Sequence, residues 1–340
     1  MSIILVLSQN LQVMLHNKIT TTSLLFVMVI TMANAQSREE GPWWPHPLWG
    51  ANDEAGSSNW ITSEKVLNAI QLVKQGKIYE IGQIYDSNMP LFGRRTYSLR
   101  SPGTPTGGPF GANNLVYNDE FLATEIGQVG TQFDGPGHIG TRLEYEDGSV
   151  KDVYYNGYTG EEMYSPYGLR KLGIENIKPI VTRGILIDIP GLKGVDCLEP
   201  SYEVSLDDVL NALERQGMTE EDIMAGDAIF FRYGWSKYWT EPEKYNRPAP
   251  GIGLEVARWV VTQQAGMVGS DQYGLEVGKV DSEVSNPVHQ YLITQNGIWN
   301  LENLKFDELI EDQVHQFLFI FTPVRFRGAT GSPGRPIAIR

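Results

Sequence analysis

Residues 184–189 read Gly184-Ile185-Leu186-Ile187-Asp188-Ile189. The run is apolar on both parities, the pattern of a strand covered on both faces rather than of one with a wet side. Downstream, Ser205 caps an amphipathic helix with Leu206, Val209, Leu210 and Leu213 on one face. Ala228-Ile229-Phe230-Phe231 is a further strand. The pattern then predicts a helix over 253–263, a short strand over 266–269, a helix over 287–295 and a late buried strand at Phe317-Leu318-Phe319-Ile320-Phe321. Upstream, Thr62 or Ser63 caps a helix whose Val66, Ala69, Ile70 and Val73 recur at i, i+3, i+4, i+7 until Gly76 stops it. Strands are expected over 77–85 and 114–126, separated by a Pro- and Gly-rich loop over 86–112 of a length usually kept for function. Helices and strands mix throughout, without internal repeats or low-complexity linkers, and predict one α/β domain.

The chain has 340 residues, 20% of them charged and 41% hydrophobic, with a formal net charge of −14. That balance belongs to a globular protein rather than a disordered acidic one. The negative charge argues against a nucleic-acid or anionic-membrane surface, which would need a field of opposite sign. The one cysteine, Cys197, excludes an internal disulfide and every multi-cysteine zinc or iron–sulfur site.

Residues 1–35 read as a secretory signal. His16 and Lys18 make a weakly basic start, an apolar run extends from Ser23 to Met32, and Ala33-Asn34-Ala35 fits a small-x-small cleavage site. The run is short for a bilayer span, so cleavage leaves an exported, soluble protein without a stable membrane span. An uncleaved anchor is the alternative, and Met14 is a second candidate start. No Asn-x-Ser/Thr sequon occurs, which favours a bacterial periplasm or exterior. The mature domain, 36–340, opens with an aromatic arm over 41–60 carrying Trp43, Trp44, Trp49 and Trp60, four indoles that must pack against something.

Chemistry concentrates in Gln128-Val129-Gly130-Thr131-Gln132-Phe133-Asp134-Gly135-Pro136-Gly137-His138. If its first half is extended, Gln128, Gln132 and Asp134 share a parity and project to one side. Gly135-Pro136-Gly137 must then turn sharply, which brings His138 back toward the same space. A glycine-rich hairpin whose polar side chains satisfy local backbone groups fits the spacing equally well.

The segment Gly130–His138 resembles the signature of the cyclase-like metal-dependent hydrolases, the family that contains bacterial kynurenine formamidase and isatin hydrolase. That signature runs His-x-Gly-Thr-His-x-Asp-x-Pro-x-His. The similarity extends to an opening at Trp49-Gly50-Ala51-Asn52-Asp53-Glu54 and an ending at Gly328-Ala329-Thr330-Gly331-Ser332-Pro333-Gly334-Arg335. It implies a single domain of the swivelling β/β/α type. It also implies one divalent ion, Mn²⁺ or Zn²⁺, held by Gln128, Gln132, Asp134, His289 and Glu302. His138 matches the family's acid/base histidine. Gln128 and Gln132 stand where the signature has its two metal-binding histidines. A glutamine carbonyl is a harder and weaker donor than imidazole, and a Gln-x-x-x-Gln-x-Asp version resembles the branch containing the zinc-dependent trans-dienelactone hydrolase.

The activity implied is hydrolysis of an amide or a cyclic amide or ester, arylformamidase-like, by water activated at the ion. The substrate implied is a small aromatic or cyclic molecule, and family habit implies a homodimer or homotetramer. The arm and the 86–112 loop, with Phe92, Tyr97 and Phe110, offer an apolar lid, although a core or dimer contact suits the tryptophans at least as well. One of Arg325, Arg327 and Arg335 is a candidate partner for a substrate carboxylate, while surface salt bridges are the commoner fate of such residues. Two readings compete with the enzyme: a non-catalytic exported binding protein on the same scaffold, and a carbohydrate-active enzyme using two carboxylates across an aromatic groove.

Overall fold

The apolar run at Gly184 is the second half of a nine-residue strand near the middle of a nine-stranded sheet. The structure, a computed structural model, describes residues 42–279 and 282–340. The expected signal, 1–35, lies outside the described residues. In chain order the strands of this sheet are β1 (Ile78–Glu80), β2 (Gln132–Asp134), β3 (Ile180–Asp188), β4 (Ala228–Arg232), β5 (Met267–Ser270), β6 (Asn300–Glu302), β7 (Gln316–Phe321), β8 (Gly331–Pro333) and β9 (Ile337–Ile339). They lie side by side in the order β1-β9-β7-β3-β4-β5-β6-β2-β8. From β3 to β6 neighbours run parallel, and the flanking pairs are antiparallel.

Parallel neighbours need crossovers, and helices supply them. The helices used here are α1 (Ser63–Ile70), α2 (Leu206–Arg215), α3 (Leu254–Thr262) and α4 (Pro287–His289). Helix α2 connects β3 to β4, and α3 connects β4 to β5. The expected cap on α2 is a reciprocal one: Ser205 Oγ accepts the Asp208 N–H at 3.1 Å, and the Asp208 carboxylate accepts the Ser205 N–H at 3.3 Å. Val209, Ala212 and Leu213 of α2 join Val256, Ala257 and Val260 of α3 over Ile185, Ile187, Ile229 and Phe231. Burying each of the larger side chains is worth about 1.5–3 kcal/mol. The opposite face carries a second cluster around Phe230, whose ring lies 4.8 Å from Phe319 and 5.9 Å from Phe306. Both faces are therefore dry, which is why β3 and β4 read as continuous apolar runs.

Four expectations are modified. The strand expected over 77–85 spans only Ile78–Glu80 before Gly82 makes an isolated bridge to Leu304. Residues 114–126 hold two short strands, Leu115–Tyr117 and Phe121–Thr124. These pair with Gly107–Phe110 and Tyr97–Arg100 as two exposed ribbons, so the segment read as a loop over 86–112 contributes strands of its own. Ribbons that pair only with each other bury little, so their sequence lacks the alternation that marks a half-buried strand. Finally, the helix expected over 287–295 is one α-turn followed by a π-helix, Gln290–Gln295.

The aromatic arm packs on the Phe230 side of the sheet. Trp49 meets Trp60 edge-on at 5.0 Å, and the His46 ring stacks on Trp49. Asn156 ties the arm down, accepting the His46 N–H at 2.6 Å and donating to Gly50 O at 2.8 Å. His46 Nδ1 in turn accepts the backbone N–H groups of Leu48 and Trp49, capping a turn. Trp299 Nε1 donates to Ala55 O, and the Trp299 ring belongs to the same cluster as Phe133 and Leu301. Trp43 is buried, while Trp44, Trp49 and Trp60 are half-buried, so the arm lies against the body of the domain.

Candidate active site

Strands β2 and β6 set the site. They pair antiparallel with Asn300 opposite Asp134, Leu301 opposite Phe133 and Glu302 opposite Gln132. Alternation sends Phe133 and Leu301 into the Phe230 cluster and leaves Gln132, Asp134, Asn300 and Glu302 on the other face. The register is locked from several directions. Thr131 Oγ1 donates to Asn303 O at 2.8 Å. Asn303, in the left-handed conformation at φ 57°, donates to Gly130 O at 2.7 Å and accepts the Tyr245 hydroxyl at 2.7 Å. Gly130 is itself at φ 61°, and a Cβ there would sit 2.5 Å from the Tyr85 ring, so only glycine fits.

Helix α4 delivers His289 from above. Its Nε2 lies 2.9 Å from Glu302 Oε1 and 3.7 Å from Asp134 Oδ2. Its Nδ1 is hydrogen-bonded to Glu276, whose other carboxylate oxygen accepts the Val288 N–H at 2.9 Å. Asp134, His289 and Glu302 are all buried, and each offers one ligand atom within 4.8 Å of the other two. The two glutamines stand beside them. Gln132 Nε2 donates to Glu302 Oε2 at 2.8 Å. Gln128 Nε2 donates to Asp134 Oδ1 at 2.8 Å, and Gln128 Oε1 accepts from Arg95 Nη2 at 2.7 Å. The turn at Gly135-Pro136-Gly137 does return His138 to this space: its Nε2 is 3.7 Å from Asp134 Oδ2, and its Nδ1 is 3.4 Å from Gln128 Nε2.

All six residues predicted from sequence thus meet in one place. Asp134, His289 and Glu302 converge as acid and imidazole donors. Gln128 and Gln132 direct amide N–H groups, not carbonyls, toward the carboxylates. Sequence reasoning missed Glu276 and Arg95. Neither carries a local signal, since one lies in an irregular turn and the other in a loop. Of the C-terminal arginines, Arg335 is paired with Glu80 at the surface.

Electrostatics of the cluster follow from burial. Burial and then the charge of Asp134 push Glu302 up to about 7, against the pull of His289 and Gln132. Burial disfavours a charged His289, but Glu276 and Glu302 outweigh it and hold the ring well above the ordinary histidine value. Burial pushes His138 below that value. Two buried carboxylates within one small site repel each other, and a divalent cation relieves that repulsion. Asn300 adds to the fit, because its carboxamide is fully buried opposite Asp134 with neither polar atom paired among the described residues. The donor set, two carboxylates and one imidazole, suits such an ion.

Residues 42–277 match the family model Cyclase, described as "Putative cyclase". The chain belongs to the cyclase family. Among solved structures, this chain is similar to a novel cyclase at 28% identity and a TM-score of 0.75, over 86% of this chain and 98% of the other. It shares its fold with isatin hydrolase A of Ralstonia solanacearum, at 17% identity and a TM-score of 0.56 over 82% and 98% of the two chains. Isatin hydrolase A of Labrenzia aggregata shares it too, at 18% identity and a TM-score of 0.54 over 77% and 93%. No curated protein matches the chain significantly. Among the described residues, no helix is long and apolar enough to cross a membrane.

Proposed function

We propose that this member of the cyclase family is an exported metal-dependent hydrolase that opens an amide or a cyclic amide or ester, with an arylformamidase-like or lactone- and lactam-opening specificity. The observation that carries the reading is the buried convergence of Asp134, His289 and Glu302 beside His138. Those three residues would hold one Mn²⁺ or Zn²⁺ ion. Such an ion supplies a Lewis acid that polarises a carbonyl and acidifies water. Gln132 steadies the Glu302 carboxylate and Gln128 that of Asp134; a half-turn of either amide would offer its oxygen as a further donor. Glu276 fixes the His289 ring so that Nε2 faces the two carboxylates. His138, held below the ordinary histidine value, accepts a proton from attacking water and returns it to the leaving group.

A non-catalytic binding protein is the second reading, favoured by the two glutamines in place of histidines. A glycosidase is disfavoured, because Asp134 and Glu302 share one compact site with an imidazole instead of flanking a groove. The test is metal analysis of the purified protein beside Asp134→Ala, with N-formylkynurenine, isatin and trans-dienelactone hydrolysis assayed in parallel. The hydrolase reading expects about one ion per chain, lost with Asp134, and turnover of at least one carbonyl substrate. Equal metal in both proteins removes Asp134 from the site. No metal under any loading condition overturns the reading, and ligand-dependent thermal stabilisation without turnover selects the binding protein.

A further inference from the structure

Arg95 reaches the site from the segment before the Tyr97–Arg100 strand. Its Nη2 holds the oxygen of Gln128, and the nitrogen of that same amide faces Asp134 and His138. The guanidinium is thus one amide group away from the reacting centre. A guanidinium presents five N–H donors in a planar fork. Among the described residues this one makes no salt bridge, and the Gln128 oxygen is its one hydrogen-bond acceptor. Glu125 feels its charge only from a distance, its carboxylate being taken by the Thr96 N–H at 2.7 Å. Other partly buried basic side chains do find carboxylates, as Arg183 does with Asp227 and Arg232 with Asp188. A half-buried guanidinium left without a carboxylate, at the edge of a centre lined by acids, calls for an anion from outside.

The surface beside it is flat and aromatic. The Arg95 guanidinium carbon lies 5.8 Å from the centroid of Phe92, and Phe92 stacks on Tyr273 at 5.0 Å with the planes 17° apart. Tyr273 belongs to the same turn as Glu276, so the wall and the metal-orienting carboxylate are built together.

We propose that Arg95 is the anion-binding residue of this site, and that the substrates carry a carboxylate on a planar, conjugated or aromatic frame. The carboxylate rests on the outward N–H groups of Arg95, the frame lies along Phe92, and the scissile carbonyl points toward Asp134 and His138. This rests on the hydrolase reading and narrows it to anionic substrates.

The test is calorimetric titration with trans-cinnamate and its neutral isostere trans-cinnamamide, neither of which need be turned over. Wild type, Arg95→Met and Arg95→Lys are compared, each metal-loaded and after chelation, with thermal melts to confirm folding. Wild type is expected to prefer the carboxylate about tenfold or more in both metal states, as one charged hydrogen-bonded pair provides. Arg95→Met brings the ratio near one, and Arg95→Lys retains part of it. The proposal is overturned if wild type binds neither ligand or shows no preference. It is also overturned if the preference survives Arg95→Met, or exists only in the metal-loaded protein. Equal losses for both ligands in Arg95→Met would reduce Arg95 to a brace for Gln128. Because the readout is affinity, a protein that hydrolyses nothing still answers it, so failure of the hydrolase reading is seen separately.

Discussion

Replacing Glu276 by glutamine tests how the centre is organised. The Glu276 carboxylate takes His289 Nδ1 with one oxygen and the Val288 N–H with the other, and the His289 N–H approaches the first oxygen at 3.4 Å. Glutamine keeps the shape but has one acceptor oxygen and no charge. If that oxygen stays on Nδ1, the amide NH₂ faces the Val288 N–H; if it turns, the imidazole loses its partner. Either way one charge-assisted hydrogen bond is lost, about 1.5–3 kcal/mol of folding stability. The effect on the metal is the sharper measure. Removing the partner that orients a metal-ligating histidine typically weakens binding about 10–100-fold. We expect a Kd for Mn²⁺ or Zn²⁺ raised by that factor, read by competition with a chromophoric chelator. Glu276→Ala should lie at the upper end. An Mn²⁺ and Zn²⁺ Kd within about twofold of wild type, in a folded Glu276→Ala protein, would refute the claim that Glu276 orients His289 for a metal.

His138→Gln should lower kcat about 10²–10⁴-fold while metal content stays at the wild-type level; loss of the metal instead would make His138 a ligand. Asp271 is a fully buried acid that accepts the Tyr233 and Gly234 N–H groups, and burial, outweighing those bonds, pushes it up to about 6. The unfolded chain releases this proton near pH 4, so the folded state binds it more tightly. The stability it contributes is present below about pH 4 and lost as pH rises through 6. Relative to Asp271→Asn, wild type should therefore lose about 2 kcal/mol between pH 4 and 7 in urea unfolding; a difference that stays flat with pH sinks the assignment. Phe230→Ala, which empties the space between Phe306, Phe317 and Phe319, should cost about 3–5 kcal/mol in the same assay.

What the sequence could show was local and periodic. The runs at Ile185 and Phe230 are apolar because strands covered on both faces meet no water. The cap at Ser205 is a short-range hydrogen-bond pattern, and Gln132 and Asp134 share a parity because strands alternate. With the family signature, that was enough to name Gln128, Gln132, Asp134, His138, His289 and Glu302, but not Glu276 or Arg95. Short strands were less legible, since ribbons such as Tyr97–Arg100 with Phe121–Thr124 bury too little to leave an alternating trace. Tertiary structure alone decided how the cluster is wired. The β2–β6 register sets Glu302 opposite Gln132, and an irregular turn brings Glu276 onto His289. A loop carries Arg95 to Gln128 and turns that amide's nitrogen toward Asp134. Such contacts join residues from 6 to 170 positions apart, and neither propensity nor spacing records them, because they exist only once the sheet has closed on its two dry faces.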